Sequence, residues 1–196
     1  SQSKITAYWG NDSNTTIPNY SKNGSTWTDF DGVWHLNDTN DSTNNLRTAT
    51  GNGGVNIGNS SLIGGGVLLD GIDDDFSVNE FNGTLSNNDR AISMWIKSTA
   101  LSGGGLSGWG TSSNRWDFSW NTTGPRVEIS NTNWEQGIFP KLNDDKWHHL
   151  AMSFDGNHSD FSAVKLFVDG KLTYVSNSSE NNASVNTIAG SALKIG

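Results

Sequence analysis

Apolar and polar residues alternate in short runs along this chain, most clearly in Lys146–Leu172 (KWHHLAMSFDGNHSDFSAVKLFVDGKL). A period of two marks a half-buried strand, because successive strand side chains point to opposite faces. Leu150, Met152 and Phe154 therefore share one face, and Val164, Leu166 and Val168 line a matching one. The second run ends in Asp169–Gly170, a dipeptide suited to a two-residue hairpin turn whose central residues need positive φ.

The same reading predicts strands at Lys4–Trp9, Phe30–Leu36, Gly66–Asp70, Asp75–Val78, Ala91–Lys97, Arg115–Trp120, Arg126–Ser130, Thr173–Val175 and Leu193–Ile195. Ile92, Met94 and Ile96 oppose Ser93, Trp95 and Lys97. Trp116, Phe118 and Trp120 oppose Arg115, Asp117 and Ser119. Asn11–Thr28 and Asn37–Asn45 read as polar loops, Gly51–Gly58 as a turn region and Gly103–Gly108 as a flexible strand connection. Gly103–Gly108 formally fits G-x-G-x-x-G but lacks the helix that would present its N–H groups to a phosphate. No window shows a 3.6-residue period. The expected class is all-β, a two-sheet antiparallel β-sandwich of jelly-roll type.

With 196 residues, one domain is the default. Hydrophobic residues make up only 33%, but 9 Trp and 8 Phe offset this, since each buried aromatic removes roughly 150–250 Å² from water. A net charge of −8 argues against nucleic acid and against an anionic membrane surface. It suits neutral glycans, cations or plain solubility. The absence of cysteine excludes disulfides, thiolate metal sites and thiol catalysis. No signal peptide or membrane-insertion segment is read in the chain. It opens inside a strand-like run, which points to a piece of something longer.

GVWHLND, GGGVLLDGIDDDFSV, AISMWIK, DDKWHHLAMSFDG, KLFVDGKL and LKIG occur in that order. This series resembles the laminin-G-like, concanavalin A-like lectin/glucanase superfamily from about Phe30 to Gly196. The resemblance implies a concanavalin A-like jelly roll over 30–196, with 1–29 as an N-terminal strand and loop. Lys4–Ser13 also resembles the closing strand of a small bacterial extracellular domain that precedes such jelly rolls. Family members follow the LKIG-like strand with one more strand carrying an acidic motif and an Arg. Ile5–Trp9 is expected in that place, unless the strand belongs to residues beyond those given.

For chemistry, retaining glycoside hydrolysis needs two carboxyls roughly 5–5.5 Å apart. None of Glu80, Glu128, Glu135 and Glu180 has an acidic residue at i+2, so no strand presents such a pair by itself. His148 and His149 are neighbours on a strand and point to opposite faces, which rules out joint metal ligation. Calcium takes six to eight oxygens. Asp70, Asp73, Asp74 and Asp75 cluster at one turn, and Asn37, Asp38, Asn40 and Asp41 at another. The resemblance implies a structural calcium near the first and last strands, which favours Asp38 and Asp41; Asp73 and Asp75 are the candidates at the other turn. Solvated turn acids are the plain alternative.

A carbohydrate site is expected around Trp109, Trp116, Trp120 and Trp134, with Arg115 and Asn133 beside them, because sugar faces stack on exposed Trp. Trp116, Phe118 and Trp120 share a face that would equally suit a core, yet a single face is not expected to bury all four tryptophans. The functional expectation is a non-catalytic carbohydrate-binding or adhesive module of a larger secreted or surface-anchored bacterial protein. Its partner would be a glycan or cell-surface molecule, or other domains of the same assembly. Its place would be extracellular, at the cell surface, or periplasmic. A structural or protein-interaction domain is the alternative, and a glycoside hydrolase a distant third.

Overall fold

The protein is described from a computed structural model covering residues 13, 16, 23–121, 124–130, 134–138, 141–158, 163–177 and 183–196. Among the described residues the strands are β1 (Thr50–Asn52), β2 (Asn56–Ser60), β3 (Gly65–Leu68), β4 (Asp75–Val78), β5 (Arg90–Lys97), β6 (Gly104–Thr111) and β7 (Asn114–Asn121). They continue with β8 (Gly124–Glu128), β9 (Trp134–Ile138), β10 (Trp147–Phe154), β11 (Val164–Val168), β12 (Lys171–Leu172), β13 (Tyr174–Asn177) and β14 (Ser191–Ile195). One antiparallel sheet runs β1-β4-β14-β6-β7-β8-β9-β13, a second runs β12-β11-β10-β5, and β2 and β3 form a separate ribbon.

The alternation in 146–172 becomes the small sheet's centre. Leu150 pairs with Val168, Met152 with Leu166 and Phe154 with Val164, and all six side chains are buried. Asp169 (φ 50°) and Gly170 (φ 74°) form the turn between β11 and β12. Asp169 holds its left-handed backbone with its own carboxylate, which accepts the His149 N–H at 2.9 Å.

The sheets pack face to face as a jelly-roll sandwich. Phe76, Val78, Trp116, Phe118, Val127 and Leu193 of the large sheet meet the buried side chains of β10 and β11. The Trp116 and Phe154 rings lie 5.5 Å apart across this layer. Burial of each such side chain contributes about 1.5–3 kcal/mol. Arg90 closes one end, its guanidinium 4.6 Å from the Trp116 ring and bonded to Thr187 Oγ1 and the Ser86 carbonyl. Burial pulls its pKa down to about 10, so it stays charged at neutral pH.

Several expectations are corrected. Gly103–Gly108 is no flexible connection: most of it lies in β6, which sits inside the large sheet with Leu106 and Trp109 buried. Its glycines carry no side chain that would reveal a period. Gly51–Gly58 contributes most of β1 and of β2, and β9 forms where no strand is predicted. Phe30–Leu36 is not a strand. It holds one bridge, Trp34 to Asp41, exposes Phe30, and breaks at Leu36 with φ 60°. Lys4–Trp9 lies outside the described residues.

Candidate functional site

The outward face of the large sheet carries a polar array. On β7 the three aromatics turn inward, so Arg115, Asp117 and Ser119 turn outward. The register places Gly108, Asp117, Glu128 and Trp134 in one row across four strands. A second row runs Gly105, Ser119, Arg126 and Gln136. Arg115 Nη2 donates to Glu128 Oε2 at 2.6 Å, and Arg126 Nη2 lies 2.6 Å from Glu128 Oε1. Arg115 Nη1 also donates to the Ser112 carbonyl, and its Nε stands 3.7 Å from Asp117 Oδ2.

Asp117 is half-buried beside this clamp. Burial pushes its pKa up, and the neighbouring Glu128 pushes the same way; Arg115 and Arg126 pull it back only in part. Its carboxyl therefore keeps a proton to higher pH than an ordinary aspartate.

Beside it, β6 forms the floor of a shallow trough of about 310 Å³. Arg115 and Asp117 stand on one side, Ser191 and Lys194 on the other. A Cβ built on Gly108 meets nothing closer than 3.5 Å, so a side chain there would make ordinary contacts and narrow the floor without strain. Gly110 differs: its φ of 105° requires glycine.

Of the expected glycan-binding residues, Arg115 belongs to this array. Trp109, Trp116 and Trp120 do not offer a stacking face; they are 5%, 0% and 7% exposed. The reason is width. Trp109 sits directly opposite Trp116 on the inner face, and eight strands give that face room for all three rings. Trp109 Nε1 is satisfied by the Thr84 carbonyl at 2.9 Å. Trp134 has its backbone in β9, opposite Glu128, and its side chain lies outside the described set, as does Asn133 altogether. Glu128 and Arg126 are missing from the expected site, though both sit at the polar phase of β8. The carboxyl pair escapes the i+2 rule because its two members come from different strands.

Residues 69–196 match the sequence model of a family described as the concanavalin A-like lectin/glucanases superfamily. The chain belongs to this superfamily. Among solved structures it is similar to the mouse laminin alpha1 chain, domains LG4-5, at 13% identity and a TM-score of 0.43. That likeness covers 58% of this chain and 29% of the laminin chain. No curated protein matches in sequence.

This concanavalin A-like domain also carries an acidic turn. Asp70, Asp73 and Asp74 each place a carboxylate oxygen within 4.8 Å of the others. Three hard oxygens are the donor chemistry calcium takes. Asp70 Oδ1 and Asp74 Oδ2 accept backbone N–H groups, which leaves each residue its second oxygen. Of the expected metal ligands, Asp73 belongs here and Asp75 does not, because Lys194, Asn52 and Ser77 engage it. Asp41 is also otherwise employed. Burial raises its pKa, but hydrogen bonds from Val33, Thr43 and Arg47 outweigh that and lower it. Asp38 accepts two bonds from Asn40 in an exposed turn.

The two adjacent histidines diverge as expected. His148 is buried, with Nδ1 3.0 Å from Asp169 Oδ2 and Nε2 3.0 Å from Asp144 Oδ1. His149 faces outward against Trp95, the ring centroids 5.2 Å apart.

Proposed function

We propose that this domain is a non-catalytic carbohydrate-binding or adhesive module of a larger secreted or surface-anchored bacterial protein, and that it holds glycan in the trough over β6. The observation that carries this reading is the row Gly108, Asp117, Glu128 with its two arginines. A glycine floor lets a sugar ring approach the backbone. A prepositioned carboxyl beside fixed arginines suits sugar hydroxyls, the pattern of a few fixed polar groups that gives ligand sites their specificity. Glu128 is held at both oxygens, which argues against a nucleophile and for a positioning role. Calcium at Asp70, Asp73 and Asp74 fits the donor set and would tie the turn before β4.

The alternative, a structural or protein-interaction domain, is favoured by exposed apolar side chains on and around the β2–β3 ribbon, among them Ile63, Leu68 and Ile72. A glycan array run with calcium and with chelator separates the readings. Binding by the native chain, lost in Gly108→Val, supports the module; no binding under either condition supports the alternative.

A further inference from the structure

The outward face of the small sheet holds a second feature. Trp95 stands there at 44% exposure, although a ring of its size gains most from burial. It is fixed rather than loose, tilted 57° against His149, its direct cross-strand neighbour. In the next row the small Ser93 and Ala151 pair beside the ring, and Phe167 of β11 completes that row. Lys97 lies one outward position beyond Trp95, and Lys165 lies at the other end, in the row of Ala91 and Ser153. Six residues separate those rows, roughly 20 Å along the strands at about 3.3 Å per residue.

The charge of this face differs from that of the chain. The protein carries 20 acidic residues against 12 basic, yet no acidic residue stands at an outward position of β5, β10 or β11. Lys97 has Asp145 at 3.2 Å, in an exposed pair that salt and competing anions displace readily.

We propose that this face binds a linear acidic polysaccharide, one sugar ring stacking on Trp95 and carboxylates meeting Lys97 and Lys165. An exposed aromatic ring beside small neighbours, with a second aromatic in the next row, suits a flat sugar. Cations at both ends of a long strip suit a polymer rather than a monosaccharide. The net charge of the chain disfavours a polyanion in general, whereas the outward strand positions of this face carry two lysines and no acid. The site lies on the sheet opposite the β6 trough and is independent of it.

Polygalacturonate, a polymer of uronic acid, is the probe, with dextran as the neutral control, in titrations at low and at 0.5 M salt. The native chain is expected to bind polygalacturonate and not dextran. Trp95→Ala should weaken binding at least tenfold, Lys165→Glu should weaken it too, and high salt should weaken it further. Gly108→Val should bind the polymer as the native chain does, which separates this face from the trough. Unchanged affinity in Trp95→Ala, equal binding of dextran, or loss in Gly108→Val overturns the proposal. So does Trp95-dependent self-association in sedimentation without polymer binding, which would make a second copy the occupant.

Discussion

Asp117 and Glu128 stand directly opposite each other on β7 and β8, and an arginine holds each oxygen of Glu128. Two adjacent carboxyls resist joint ionisation, so the one held less closely by the arginines is pushed up. That is Asp117, already pushed up by burial. A raised folded-state pKa means that the native protein binds more protons than the unfolded chain, so stability falls as pH rises through the window above 3.8. Asp117→Asn removes this loss. Thermal melts at pH 7 should show the variant more stable than the native chain, and at pH 3 the difference should shrink.

The His148 clamp has the opposite pH dependence. Burial lowers its pKa, but hydrogen bonds to Asp169 and Asp144 outweigh that and raise it. The bond from His148, then that from Lys146, pulls Asp144 down to about 2. A raised histidine contributes fully below 6.5 and loses its contribution as pH climbs through the folded-state value. Lowered aspartates lose theirs as pH falls below about 4. The clamp is therefore strongest from about pH 4 to 6.5. His148→Gln should cost about 2 kcal/mol in urea melts at pH 6 and clearly less at pH 9.

Two glycines should respond differently to a side chain. Gly170 has φ 74° with nothing within 4 Å of a Cβ, so Gly170→Ala costs only the backbone penalty, about 1–2 kcal/mol. Gly108 has ordinary contacts and no positive φ. Gly108→Val should change stability by less than about 0.5 kcal/mol, and paired denaturation curves check both values.

Trp116 and Trp95 test the inside–outside assignment. Trp116→Ala should cost about 3–5 kcal/mol. Among the described residues Trp116 Nε1 has no hydrogen-bond partner, so Trp116→Phe sheds an unmet polar group and should cost far less. Trp95→Ala should stay within about 0.5 kcal/mol of the native chain. Guanidinium melts of the three variants rank them.

The hairpin 146–172 is legible from alternation and one turn dipeptide, because both signals are local. The position of Trp95 is legible by the same rule, since it shares its phase with Ser93 and Lys97. The number of tryptophans between 109 and 134 points instead to a region where three are core. Strand β6 is hidden because glycine erases the period. The Asp117–Glu128 pair is hidden because it depends on which strands pair and in what register, and no local pattern states that.

The most direct test of the trough is an NMR titration of the labelled protein with a glycan hit from the array. Amide shifts should concentrate at 105–110, 115–117 and 126–128, and Gly108→Val should abolish them. Shifts confined to other surfaces, or unaltered in Gly108→Val, would contradict the account.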